Sequence, residues 1–415
     1  MQHFFKSLIT LRWVLVTTLW LGLSHTATVD AQIFNGLVII QPKRHSFYEE
    51  LAVKKPSQAD TIRLYIDRLG SIYPPAPYLP DKTFEKIKYI EALDEWYYAP
   101  KQQQQLIDLS KYCGFEAVTS VEARAKHWDR IQDTLAVRMA RAINVVTSKP
   151  SSANRRTLLV LIHGYNNAAT ESPFAATRSI LRAQPALSKA VWLEVRWDGL
   201  HQPLPFQIWP AAQLNGRYAG IALREVLWQT DPATPLRIFT HSSGAIVASQ
   251  ALWNSRAGRV EDSDDIRKMY EEIPTPTHGD VRVGMIVPAT PPDVFYDFQR
   301  RTVAASGQPA HYLPGTEPQY RVVLGQNARD FAVSKGGLLA GSYGVTTLGC
   351  KEWAFEQARD SCHCGLQKVE FSQASGSNPS PPPYGLGPGK KLEQHDWGLY
   401  WKRPQSKEFL RKVLE

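Results

Sequence analysis

The sequence predicts an α/β protein with a mainly parallel sheet and helices on both faces. Short apolar runs at 158–162, 191–195, 236–239, 281–287 and 320–324 alternate with helical stretches at 173–186, 211–228 and 243–254. Alternation of this kind describes parallel strands joined by helical crossovers. A second observation precedes the alternation. Trp128, Ile131, Leu135, Met139 and Ile143 recur at three- and four-residue spacing, which is one apolar helix face lying on a core and leading into the sheet.

Taken in chain order, residues 1–31 read as a signal peptide. Lys6 and Arg12 precede an apolar run at 13–23, and Val29-Asp30-Ala31 offers a cleavage site after Ala31. The run is shorter than the ~20 residues of a membrane-spanning helix, and no later stretch is long enough to span, so an exported protein, periplasmic or secreted, is expected. Residues 32–119 read as an N-terminal extension, mostly helical after the apolar run 36–40 and the proline-rich patch 74–80. Residues 120–415 form the main domain, with a mobile Ser/Pro/Gly-rich loop at 372–391 and a closing helix over 406–414.

A hydrophobic share of 43% with 21% charged residues excludes general disorder. The net charge is +9, and loss of Lys6, Arg12 and Asp30 with the signal would leave the chain basic. The basic residues are scattered and match no nucleic-acid-binding signature, so no nucleic acid partner is expected, only weak attraction to anionic surfaces or substrates. Cysteines stand at 113, 350, 362 and 364. In an exported chain a bridge from Cys350 to Cys362 or Cys364 is expected. Cys362-His363-Cys364 lacks the spacing and the second ligand pair of a zinc site, so neither a metal nor a cofactor is expected.

Two motifs carry chemistry. Thr240-His241-Ser242-Ser243-Gly244 stands directly after one apolar strand and before a helical run. A sharp strand-to-helix turn lifts its central side chain to the tip of the sheet and needs small residues two positions either side, which Gly244 supplies and Thr240 does not. Ser243 is the rival nucleophile, but its frame would put the bulkier His241 at a flanking position, so Ser242 is preferred. The second motif, His163-Gly164-Tyr165-Asn166-Asn167, follows the strand at 158–162.

Together these motifs resemble a bacterial family of α/β-hydrolases in which His-Gly-Tyr-Asn-Asn follows the first core strand and a small-residue-His-Ser-x-Gly elbow follows a later one. The likeness covers roughly residues 120–415, and relatives carry Ala or Gly where this chain has Thr240. It implies an α/β-hydrolase fold with Ser242 as nucleophile and an oxyanion hole built from the backbone N–H groups of Tyr165 and Ser243, while His163 pins the loop. In this fold the acid and then the base follow the Ser in sequence. Asp330 stands in the family's acid-bearing segment, with Asp293 as the alternative. His395 lies between the last loop and the closing helix, where the family has its catalytic His. His278 and His311 precede Asp330, His363 sits between cysteines, and Asp396 is expected to point away.

The expected activity is attack by Ser242 on a carboxylic ester or related acyl group, with a small-molecule or lipid-like acyl substrate. Acyl transfer to an acceptor other than water would use the same residues. A hydrolase scaffold without catalysis, acting as a binding or envelope-associated module through residues 32–119, is the alternative of a different class.

Overall fold

The computed structural model describes residues 31–34, 37–40, 60–80, 92–118, 120, 123–148, 155–165, 174–199, 205–253, 255, 272–296, 298, 301–302, 309–310, 319–328, 330–333, 345–362, 365–371 and 395–415. Apart from Ala31, the expected signal segment lies outside the described residues, as does the 372–391 loop. The chain divides into two compact units, 1–41 and 42–415. In the first, β1 (Ala31–Phe34) and β2 (Leu37–Ile40) pair as an antiparallel hairpin with Ala31 opposite Ile40.

The second unit holds the sheet. It begins with β3 (Thr61–Ile66), then α1 (Leu93–Tyr97), α2 (Gln103–Cys113) and the long α3 (Arg124–Thr147). Next come β4 (Leu158–Ile162), α4 (Ala175–Arg182), β5 (Val191–Trp197), α5 (Pro205–Trp228), β6 (Leu236–His241) and α6 (Gly244–Leu252). Strand β7 (Asp280–Ile286) is followed by a two-residue antiparallel pair, β8 (Arg301–Thr302) with β9 (Pro309–Ala310), and by β10 (Gln319–Gln326). The chain ends with α7 (Glu352–Cys362), β11 (Gln367–Glu370), α8 (Trp397–Lys402) and α9 (Gln405–Leu414).

Seven strands make one sheet in the order β11-β10-β7-β6-β4-β5-β3, and every neighbouring pair is parallel. Strands β4 and β5 are buried at every position, as strands covered on both faces must be. Helices α8 and α9 cover one face, where Phe239 of β6 meets the rings of Trp401 and Phe409. Helices α5 and α6 pack on each other and on β4, β5 and β6. The alternation of runs predicts this parallel sheet with helices on both faces, and the architecture fits the α/β-hydrolase fold that the resemblance of the two motifs implies.

Residues 32–119, expected to be a mostly helical extension, hold α1 and α2 and also supply β3, which closes one sheet edge beside β5, Thr61 pairing with Trp192. Its alternating burial is that of an edge strand, and Arg63 in its middle masks the apolar signal. One expectation needs correcting: Cys350 forms no disulfide, its buried thiol turning toward the Thr347 carbonyl at 3.6 Å, and the disulfide that Cys362 makes is with another residue.

The connections make a topological switch point at one end of the sheet. The chain leaves β4 toward β5 on one side, crosses back to β6 on the other side of β4, and then moves steadily away through β7, β10 and β11. Adjacent strands β4 and β6 therefore send their carboxyl-terminal loops in opposite directions, and a binding crevice opens at such a switch point. Among the described residues no helix is long and apolar enough to cross a membrane.

A buried ionic cluster ties β3, β5 and α4 together. The Glu194 carboxylate on β5 is wholly enclosed and accepts from Arg63 and Arg196, both at 3.3 Å, and from Arg178. Removing its charge would take from three guanidinium groups, in or near the interior, the carboxylate that they share. Glu194→Gln is expected to destabilise the protein by about 3–5 kcal/mol, read as a lowered urea midpoint at pH 7.

Candidate active site

The turn after β6 is unusual in its backbone. Ser242 has φ 53°, a left-handed conformation that non-glycine residues adopt at a cost. The turn is held from both sides, since the Ser242 N–H donates to the Ile286 carbonyl at 3.0 Å and the Ser242 carbonyl accepts from the Ala289 N–H at 3.1 Å. The chain then enters α6, which is buried along its whole length. Gly244 is required here by space, because a Cβ at that position would lie 2.6 Å from the Ile162 carbonyl oxygen and 2.7 Å from that of His163. Thr240 meets no such obstacle. It is the fifth residue of β6, wholly buried and paired with Ile162 and Met285 in the sheet, so a side chain fits where Gly is usual.

The sequence-predicted residues Ser242, His395 and Asp330 come together. Ser242 Oγ lies 2.8 Å from His395 Nε2, and His395 Nδ1 lies 2.8 Å from Asp330 Oδ2. With Asp330 ionised, Nδ1 is the protonated ring nitrogen and Nε2 is left as the acceptor for the Ser242 hydroxyl. Asp330 follows β10, its Oδ1 receiving the Ala332 N–H at 3.0 Å. His395 directly precedes the cap of α8, where Asp396 accepts from the Leu399 N–H at 3.1 Å and so points into its own helix.

Asp293, the alternative acid, makes no bond to His395. It sits in a 3-10 turn after β7, and burial raises its carboxyl to about 6. His278 is buried between the carbonyls of Thr234 and Leu227, while His311 and His363 lie outside the described residues.

On the other side of Ser242, the Gly164 position is so close to the turn that a Cβ would lie 3.0 Å from Ser242 Cβ. His163 anchors this loop. Its ring stacks on Trp197, its Nδ1 donates to the Gly164 carbonyl at 2.6 Å, and its Nε2 accepts from the Trp197 N–H at 3.4 Å. Burial lowers its pKa to about 3, so it is neutral and structural. The Tyr165 N–H, expected to face an oxyanion, instead donates to Ser243 Oγ at 2.7 Å. Among the described residues the Ser243 N–H finds no acceptor, the helical ladder beginning with the donors Ala245 and Ile246.

Sequence reasoning missed two residues that complete the array. Tyr400 Oη donates to Asp330 Oδ2 at 2.5 Å, the same oxygen that holds His395, and accepts from Asn327 Nδ2 at 2.8 Å. Burial and the Asp330 charge push the Tyr400 hydroxyl's pKa up, so it remains a donor. Burial alone would raise Asp330, but the His395 ring and the bonds from His395 and Tyr400 outweigh it and hold the carboxyl below its ordinary range. The five-residue separation of Tyr400 from His395 carries no motif; only α8 folding against β10 joins them. In the sequence His241 stands out only as a bulky neighbour of Ser243. Its ring lies 4.7 Å from that of His395 and stacks on Trp397, and burial holds it well below its usual pKa, so it adds no charge beside the base.

Among the described residues no group of three or more His, Cys, Asp or Glu is placed to hold a metal ion. No family model matches the chain, and no curated protein does. A solved structure of a metagenomic carboxyl esterase matches at 13% identity, covering 65% of this chain and 79% of that one, with a TM-score of 0.25. A score that low carries no inference about activity.

Tyr400→Phe tests the link to Asp330. Loss of one donor to the carboxylate raises the Asp330 pKa, so the carboxylate is lost at a higher pH than in the wild type. Reaction of Ser242 with a fluorophosphonate is expected, in the variant, to fail at higher pH on the acid side. At its plateau the labelling rate should fall about tenfold, the equivalent of ~1.4 kcal/mol. A profile of labelling rate against pH from 4 to 9 measures both.

Proposed function

We propose that this protein is a serine hydrolase acting on a carboxylic ester or related acyl substrate, with Ser242 as nucleophile, His395 as base and Asp330 as the acid that orients it. The observation that carries the reading is the continuous chain from Ser242 Oγ through both nitrogens of His395 to a buried Asp330 carboxylate, on a serine whose backbone is left-handed. A serine that only capped a helix would need neither the imidazole nor that conformation. In the first step Ser242 Oγ bonds to the substrate carbonyl carbon, the carbonyl electron pair moves onto oxygen, and the Ser242 proton passes to His395 Nε2. Asp330 stabilises the imidazolium without taking its proton. Collapse of the tetrahedral adduct expels the alcohol, which takes the proton from Nε2, and water then repeats the sequence on the acyl-enzyme.

The apolar run at 13–23 and the small residues before position 32 support export of this enzyme to a periplasmic or extracellular setting. Its basic charge favours anionic or lipid-like esters over cationic ones.

A fluorophosphonate probe, which reacts with activated serines, is expected to label the purified protein at Ser242. Ser242→Ala and His395→Ala should lose labelling, and Asp330→Asn should lower kcat on a p-nitrophenyl ester by about 10⁴-fold. A folded wild type that takes no label would overturn the assignment and favour the non-catalytic binding module.

A further inference from the structure

The bond between the Tyr165 N–H and Ser243 Oγ creates a problem for an oxyanion hole made of backbone donors alone. With Ser243 Oγ seated 2.7 Å along the Tyr165 donor, a substrate oxygen reaching the same N–H would have to displace that hydroxyl. The alternative is that the oxygen sits one hydrogen bond further out, about 2.7 Å beyond Oγ. Three features favour the second arrangement. Ser243 is fully buried, so its side chain has little room to swing away. The Tyr165 ring is packed against the buried Trp209 at 4.8 Å, which holds the loop in place. The proton of the Ser243 hydroxyl has no acceptor among the described residues, although its oxygen is already engaged.

On the reading that Ser242 is the nucleophile, we infer that the Ser243 hydroxyl is a direct donor to the developing oxyanion. The Tyr165 N–H acts behind it as the first link of a relay, and the Ser243 N–H is the second direct donor. The hydroxyl keeps its proton throughout. When the carbonyl pair moves onto oxygen, Ser243 Oγ–H only turns its hydrogen bond toward the new charge, while the Ser242 proton goes to His395. An O–H that already accepts an N–H bond is polarised and becomes a better donor. A hydroxyl rotor also follows an oxygen that moves as the carbon becomes tetrahedral, which a fixed peptide N–H cannot. The relay is assembled before substrate arrives, so little reorganisation opposes its use.

The test compares wild type, Ser243→Ala, Ser243→Thr and Ser243→Cys as full-length protein, on p-nitrophenyl acetate and with an aryl trifluoromethyl ketone, which forms a tetrahedral alkoxide on an active serine. Ser243→Ala is expected to lower kcat by about 10²- to 10³-fold with KM changed less than about threefold, the loss typical of one oxyanion donor. The ketone's Ki should rise by the same factor as kcat/KM falls. Ser243→Thr, which keeps a hydroxyl, should recover most of the loss, and Ser243→Cys, similar in size but a weak donor, should not. The cysteine variant carries the comparison if the alanine variant does not fold.

Wild-type or faster turnover in Ser243→Ala would overturn the relay and assign the direct contact to Tyr165. So would a loss that tracks a lowered melting temperature without a matching change in Ki. These outcomes are separate from failure of the hydrolase reading, which would appear as a wild type that takes no fluorophosphonate at Ser242, and the relay falls with it.

Discussion

The arrangement at the carboxyl end of the sheet rests on one backbone constraint, the left-handed conformation of Ser242 between β6 and α6. For an L-residue that conformation costs roughly 1–2 kcal/mol, and it persists only where neighbouring structure determines it. Here the neighbours are the β7 exit, which exchanges hydrogen bonds with Ser242 through Ile286 and Ala289, and the β4 exit, against which Gly244 is pressed. Val287, at the end of β7, also has positive φ (42°), rare for a β-branched residue, and its N–H bonds to Gly325 of β10. Two left-handed turns at neighbouring strand ends thus lace β6, β7 and β10 together. The same lacing brings the loop bearing Asp330 within reach of Ser242.

The electrostatic design follows from that geometry. A carboxylate buried as deeply as Asp330 would ordinarily tend to neutralise, but donors from His395, Tyr400 and the Ala332 backbone keep it ionised. His163 and His241, both close to Ser242, are held neutral by burial, so neither competes with His395 for the Asp330 charge. An aromatic layer of Trp397, Phe174, Tyr400 and Phe371 packs around the array.

Legibility in the sequence followed burial. The central strands β4, β5, β6, β7 and β10 stand out as apolar runs because both their faces are covered. The edge strands β3 and β11 do not, since half of each faces outward and carries Arg63, Lys368 or Glu370. The five helices read from the sequence, the first of them from three- and four-residue spacing, match α3, α4, α5, α6 and α9, with ends shifted by a few residues where caps and turns decide. Short helices such as α1 and α8 were invisible because five or six residues give too little periodicity to read.

The sequence by itself determined the order of strands and helices, the elbow around Ser242 and the His-Gly loop before it, because each depends on neighbours within about ten residues. It also supplied the candidates for partners, His395 before the other histidines through the order in which this fold presents them, and Asp330 before Asp293 through the resemblance of its segment to the family's. Tertiary structure alone decided which carboxylate reaches His395, that Tyr400 and Asn327 brace it, and that Ser243 Oγ takes the Tyr165 N–H. These contacts join residues separated by 65 to 78 positions. Their geometry is set by how α8 and the β4 exit pack on the end of the sheet, and no local pattern of residue types encodes that packing.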